Sequence, residues 1–194
     1  MNDIANFIIS ELEPYKKYGT IIQENGTELI GKATHIAPMA WLHSLFKGLE
    51  KQEIEKLETE LNTEIPNRYA EFLKFSNGLQ LFNTTLSFHG LRKSYDRVTE
   101  INARNPFSLT DLNYERPLNS KPDYFYFGSY FWDGSLVFID KSDSKIHRCD
   151  RDDSKPLNTW NDFNDFIKNE IIRIKSLHKE NGTEKNPDES TIPE

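Results

Sequence analysis

Cysteine and long apolar runs are scarce in this sequence. Cys149 is the single cysteine among 194 residues, which excludes an intramolecular disulfide and a zinc site built from several cysteines. No apolar run approaches the roughly 18 residues that a membrane-spanning helix needs. The first residues lack a basic segment followed by an apolar block, so they do not form a secretory signal. We therefore expect a cytoplasmic protein with no membrane contact.

Positive charge is scarce as well. The chain carries 24 lysines and arginines against 31 aspartates and glutamates, a formal net charge of −7. Proteins that bind a phosphate backbone neutralise it with basic side chains. This balance therefore argues against nucleic acid as a direct partner and favours a partner of basic character.

Signatures of catalysis and ligand binding are also missing. The sequence has no Walker A loop, no G-x-G-x-x-G and no G-x-S-x-G. The stretch 140–145, Asp-Lys-Ser-Asp-Ser-Lys, resembles a calcium loop only in part, because it lacks the central glycine and the closing glutamate. His147 and Cys149 alternate on one strand face, but two side chains are too few for a structural zinc site. We expect no cofactor, no metal and no catalytic residues, and a hydrolase that uses Asp or Glu is the least favoured alternative.

The spacing of apolar residues predicts the elements of the fold. Helices are expected at 4–15, 38–46, 51–61, 66–75 and 160–177, the fourth stopped by Asn77-Gly78 and the last capped by Asn158 or Thr159. Strands are expected at 18–23, 28–34, 79–82, 86–91, 124–128, 135–140 and 145–149, the first two joined by an Asn-Gly turn at 25–26. Residues 92–121 read as a polar loop with one short helix around 97–103. This order predicts an α+β fold whose mostly antiparallel sheet packs against N-terminal and C-terminal helices.

Several short motifs follow one another in a recognisable order. They are a Leu-Glu pair in a helix, an Ile-Pro-x-x-Tyr-x-x-Phe-Leu run, an Asn-Gly stop, an Asp-Gly turn and a closing aromatic helix. Their residues are Leu57, Glu58, Ile65, Pro66, Tyr69, Phe72, Leu73, Asn77, Gly78, Asp133, Gly134, Trp160, Phe163 and Phe166. This order resembles the SMI1/KNR4 family of the SUKH superfamily. The resemblance divides the chain into a helix and hairpin extension (1–37), an SMI1/KNR4-like domain (38–178) and a disordered acidic tail (179–194).

The resemblance implies a function that composition and spacing do not give. Bacterial members of the family are widely immunity proteins, which bind a polymorphic toxin domain, often a nuclease, and block it without catalysis. The first hypothesis is therefore a non-catalytic immunity protein with a cognate toxin domain as its partner. The alternative is an intracellular regulatory adaptor that is not tied to a toxin, as fungal relatives are.

Exposed aromatic and acidic residues are the natural candidates for such an interface. Strand alternation places Tyr124 and Tyr126 on one face and Phe125 and Phe127 on the other, so a Phe pair in the core leaves the Tyr pair outward. Tyr and Trp are enriched among interface hot spots, and a rim of carboxylates attracts a basic partner. The opposite possibility is that these rings cover a helix on the second face of the sheet. The predicted partner-binding residues are Tyr124, Tyr126, Tyr130, Trp132, Asp133, Asp150, Asp152 and Asp153.

Overall fold

A computed structural model describes residues 2–95 and 105–194. Within these residues, nine strands form one sheet, and each strand pairs antiparallel with the next along the chain. The strands are β1 (Thr20–Ile22), β2 (Glu28–Lys32), β3 (Trp41–Lys47), β4 (Ser76–Leu81), β5 (Leu86–Phe88), β6 (Tyr124–Tyr130), β7 (Leu136–Asp140), β8 (Ile146–Cys149) and β9 (Pro156–Trp160). The helices are α1 (Asn2–Leu12), a 3₁₀ helix (Glu13–Tyr18), α2 (Lys51–Leu61), α3 (Asn67–Phe75), α4 (Leu109–Tyr114) and α5 (Phe163–Leu177). Helix and antiparallel sheet therefore combine as the α+β prediction states.

One hydrophobic core joins the helices to the sheet. Its members include Ile8 of α1, Leu57 of α2, Phe72 of α3 and Phe166 of α5, all packed in one cluster with alternate residues of the strands. The Tyr69 hydroxyl shares its one hydrogen between the carbonyls of His89 and Phe127 (3.1 Å for Phe127), which links α3 to the end of β5 and to β6. Because α1 shares this core, the N-terminal segment packs with the rest of the chain; a boundary near residue 37 stays a prediction.

The N-terminal hairpin forms as predicted, whereas the segment that follows it is a strand and not the predicted helix. β1 and β2 pair around the Asn25-Gly26 turn, in which the Thr27 amide donates to Asn25 Oδ1 at 3.0 Å. The predicted helix at 38–46 is wrong, because Trp41–Lys47 forms β3 between β2 and β4. Leu42, His43 and Ser44 are all buried there, so a strand covered on both faces shows no alternation that would distinguish it from a helix.

Two helix ends also differ from the prediction. α3 runs directly into β4, and Gly78 lies inside that strand instead of capping the helix. Its φ is +91°, and a Cβ there would sit 2.6 Å from the Phe88 carbonyl oxygen, so the glycine allows β4 to approach its neighbour. The last helix begins after Trp160, because 156–160 pairs with β8 as β9; Asp162 caps α5 by accepting from the amides of Asn164 and Asp165.

The segment 92–121 contains one helix, α4, that the sequence does not predict. The short helix expected around 97–103 lies outside the described residues. Residues of the tail contact the folded part of the chain, and the disorder expected of the tail stays a prediction. Arg173 donates to the Thr191 carbonyl at 2.8 Å, and Asn158 donates to the main-chain oxygen of Glu194 at 2.9 Å. Amino-acid composition does not reveal such hydrogen bonds between an arginine or asparagine side chain and main-chain oxygens of the tail. Among the described residues, no helix has the length and apolar character to cross a bilayer.

Candidate functional site

The outward tyrosines expected from the sequence are buried. Tyr124 and Tyr126 pack with Phe138 and Cys149 into a second, smaller apolar cluster on the face of the sheet opposite the main core. Tyr130 is buried in the main core instead. The prediction that Tyr124 and Tyr126 face outward is therefore wrong, and none of the three tyrosines offers its ring to a partner.

The segment 112–121 explains this burial. Asn113 on α4 binds the main chain of Tyr126 twice, donating to its carbonyl at 2.7 Å and accepting from its amide at 3.0 Å. Arg116 donates to the Tyr124 carbonyl at 2.7 Å, and Ser120 Oγ shares a hydrogen bond of 2.6 Å with the Tyr126 hydroxyl. A polar segment that covers a sheet face through its amide and guanidinium groups leaves no apolar periodicity in the sequence.

A groove of about 880 Å³ lies beside this covered patch, and we call it the outer groove. It runs over β5, β6 and β7 between the α4 segment and the two loops that follow β6 and β8. Side chains from four parts of the chain line it. They are Ser87, His89 and Ser129 on the floor, Phe107, Leu112, Leu118, Phe131 and Leu136 on the walls, and Glu115, Arg116, Arg151 and Asp152 at the mouth.

The floor of the outer groove is polar. His89 is buried and placed by two contacts: Nδ1 lies 3.3 Å from the Ser108 carbonyl and Nε2 lies 2.9 Å from Ser129 Oγ. Burial lowers the pKa of His89 to about 4, against the opposing effects of the Ser108 carbonyl and Asp111, so the ring is neutral at pH 7. Ser87 Oγ is buried on the same floor without a hydrogen-bond partner among the described residues. An unpaired buried hydroxyl is costly, and a bound group that approaches the floor would satisfy it.

The walls of the outer groove are apolar and open to solvent. Leu118 is 75% exposed and Phe131 is 78% exposed, and both face the groove together with the partly exposed Phe107. Exposed apolar side chains that cluster around one depression mark interaction sites more often than scattered ones do. The sequence reading missed Leu118 and Phe107, because both stand in a stretch that looked like polar loop.

Trp132 and Asp133 occupy the turn after β6, next to Phe131. Trp132 is 45% exposed, as predicted. Asp133 is partly committed to the fold: its Oδ2 lies 3.0 Å from Arg148 Nη2, and its Oδ1 accepts from the Ser135 amide at 2.9 Å. Burial opposes ionisation of Asp133, but the Ser135 and Arg148 hydrogen bonds outweigh it and hold the pKa below its usual value. These contacts of Asp133 therefore fix the conformation of the Asp-Gly turn that follows the two aromatic residues.

The three carboxylates after β8 differ in their surroundings. Asp152 lies at the mouth of the outer groove, beside Arg151. Asp150 accepts from the Asp152 amide at 2.9 Å, and Asp153 accepts from Asn119 and from the Lys155 amide. Asp150 and Asp152 are exposed and Asp153 is half-buried. The structure thus gathers Trp132, Asp133 and Asp152 near the groove, and Asp150 and Asp153 support the loop.

Comparison with known proteins gives the family of the chain. Among curated proteins, no match to this sequence is found. The family model described as SMI1 / KNR4 family (SUKH-1) matches residues 48–169, which include α2 to the first half of α5 and all the lining residues of the outer groove. This match extends over more than half of the sequence, so the chain belongs to the SMI1/KNR4 family (SUKH-1).

Proposed function

We propose that this chain is a non-catalytic immunity protein that binds a cognate polymorphic toxin domain in the cytoplasm and blocks it. Membership in SUKH-1 is the observation that carries the proposal, because the family suggests an immunity-type role. The net charge of −7 favours a basic toxin domain, and a nuclease is the first expectation since its substrate cleft must attract phosphates.

We further propose that the toxin docks at the outer groove. Phe131 and Leu118 supply apolar area that the described part of the chain leaves largely exposed, and aromatic side chains near the centre of an interface contribute most of its energy. The floor adds hydrogen-bonding groups, among them Ser87 Oγ, which has no partner within residues 2–95 and 105–194. The mouth carries both signs of charge, so local charge selects the orientation of the partner and the net charge accelerates its approach.

Inhibition of the toxin tests the function. The partner is identified by capturing the tagged full chain from its source cells and determining by mass spectrometry what binds in stoichiometric amount. The purified partner is then assayed with and without an excess of this chain. We expect its activity to be abolished at one equivalent, and undiminished activity in excess chain contradicts the immunity role. A captured set of regulatory proteins with no toxin favours the adaptor alternative.

Truncation of the groove walls tests the docking site. The double variant Phe131→Ala, Leu118→Ala is expected to weaken partner binding at least about 30-fold, since hot-spot truncations cost roughly 2 kcal/mol or more. Ile22→Ala is the matched control, because Ile22 is 74% exposed on β1 and lies outside the groove. Equal affinity of the groove variant and the control, measured by calorimetry, would move the interface elsewhere while leaving the immunity role untouched.

A further inference from the structure

The β7–β8 turn brings together three side chains of metal-ligating type. One donor atom each from Asp140, Asp143 and His147 lies within 4.8 Å of the other two. Asp140 ends β7, Asp143 stands in the turn, and His147 lies on β8. The sequence does not show that the carboxylates and the histidine converge, because residues of a hairpin turn separate them. We propose that these three residues form a binding site for a divalent transition-metal ion, Zn²⁺ in the first place.

Contacts outside the donor set hold each of the three side chains. Asp140 Oδ1 accepts from the Ser142 amide at 2.9 Å and from its hydroxyl at 2.6 Å, which leaves Oδ2 available. Asp143 Oδ1 accepts from the Lys145 amide at 3.0 Å, and its Oδ2 lies 3.6 Å from Lys145 Nζ, an ion pair that a metal would displace. A site whose ligands are already oriented loses less conformational entropy when the ion binds.

The imidazole is the most strongly positioned of the three ligands. His147 Nδ1 lies 2.8 Å from Thr159 Oγ1 on β9, and the ring packs against Phe138 with centroids 5.1 Å apart. When Nδ1 donates to this hydroxyl, Nε2 carries the lone pair that a metal requires.

The donor set selects the class of ion. Two carboxylates and one imidazole suit Zn²⁺ and its neighbours in the first transition row, whereas Ca²⁺ requires six to eight oxygens and finds too few here. Donors on a tetrahedral Zn²⁺ stand roughly 3.3 Å apart, given bond lengths of about 2.0–2.1 Å. Closing from 4.8 Å needs the donor atoms to shift by about 1.5 Å or less. Three protein ligands leave a fourth position for water.

Titration of the untagged, chelator-treated full chain with ZnCl₂ tests the site. We expect saturable binding of one ion in calorimetry and a higher melting temperature in zinc, whereas CaCl₂ produces neither. His147→Gln and Asp143→Asn should each weaken binding at least about tenfold. Thr159→Val should do so through the ring orientation, since such supporting groups cost about 10–100-fold. Lys145 Nζ lies 3.6 Å from Asp143 Oδ2 and competes with the ion, so Lys145→Gln should tighten binding.

Matched variants decide between this site and surface adsorption. His35→Gln removes an exposed histidine, and Asp152→Asn removes an exposed carboxylate, both outside the cluster; zinc binding should be unchanged in both. Melting temperatures without zinc establish that each variant is folded. Absence of saturable binding, or equal affinity in wild type and both ligand variants, overturns the site. This inference does not rest on the immunity role, which the toxin assay tests separately.

Discussion

Replacing Arg148 by methionine is expected to destabilise the protein by about 3 kcal/mol, near the low end of the cost of breaking a buried ion pair. The guanidinium is buried on β8 and makes contacts in four directions. It donates to Ser135 Oγ at 3.0 Å, to Asn158 Oδ1 at 2.7 Å and to Asp133 Oδ2 at 3.0 Å, and it lies 3.5 Å from the Pro193 carbonyl. Methionine fills similar volume but leaves these acceptors without a donor. Chemical denaturation of both proteins measures the loss.

The control for this experiment is Arg151→Met. Arg151 is exposed, and its one ion pair, to Asp152, spans 3.7 Å, so its loss should change the free energy of unfolding by less than about 0.5 kcal/mol. A difference of under about 1 kcal/mol between Arg148→Met and wild type would contradict the role assigned to this arginine. Arg148→Met should also loosen the 131–134 turn and the tail, because the Arg148 side chain contacts both.

The free energy of unfolding is expected to fall on acidification already at pH values above the range in which carboxylates titrate. Burial, with a contribution from His178, lowers the pKa of His43 to about 3, and burial lowers the pKa of His89 to about 4. In the unfolded chain both have the ordinary value of about 6.5. Between pH 6.5 and 4 the unfolded chain therefore binds up to two more protons than the folded chain, so the free energy of unfolding falls as pH falls. The limiting slope is about 2.7 kcal/mol per pH unit.

The surroundings of His43 explain why the folded chain resists its protonation. Its ring is enclosed edge-to-face by Tyr15 and Phe82, at centroid distances of 4.8 and 4.7 Å. Nδ1 lies 3.4 Å from the Phe82 amide, whereas Nε2 has no partner among the described residues. A second proton would have to bind at Nδ1, where it would displace the Phe82 amide and place a buried charge among aromatic rings. Burial also lowers the pKa of His147 and His178, which adds to the effect with the same sign.

Denaturation curves at pH 7, 6 and 5 measure the slope. His89→Gln keeps an acceptor for the Ser129 hydroxyl and removes one titrating group, so its slope should be smaller by about 1.4 kcal/mol per pH unit. His35→Gln, at an exposed position, serves as the control and should retain the wild-type slope. A wild-type slope below about 1 kcal/mol per pH unit between pH 6 and 5 would contradict the burial of both neutral rings.

The sequence predicts the fold best where one face of an element is buried and the other is wet. α2 has this character and lies where the sequence predicts it. β6, β7 and β8 are mostly buried on both faces, and the sequence predicts them from aromatic and aliphatic runs that turn residues separate. β3 is also covered on both faces, and its apolar spacing fits a helix equally well. β9 is not predicted because it is a short, mostly exposed edge strand that begins with proline. Hydrophobic periodicity arises from the difference in burial between the two faces of an element, so it gives no signal where both faces are buried or both are exposed.

The candidate site shows a different limit. Turn chemistry correctly located the Asp-Gly corner and the exposed Trp132 beside it. Whether the tyrosines of β6 face solvent depends on α4 and the segment after it, which cover them by hydrogen bonds from Asn113 and Arg116. The floor residues Ser87 and His89 alternate with Leu86 and Phe88, and this polar and apolar alternation is visible in the sequence. Their assembly with Ser129 requires the β5–β6 pairing, which spans about 40 residues of sequence.

Hydrogen exchange on the complex with the captured toxin domain tests most directly whether this chain acts through the outer groove. The account predicts that binding slows amide exchange at 84–90, 107–118 and 129–136, the segments that form the floor and walls of the groove. β1 and its turn should exchange as in the free chain. Protection confined to the 18–34 hairpin, with unchanged exchange around Phe131, would contradict the central claim and place the interface at the β1 edge of the sheet.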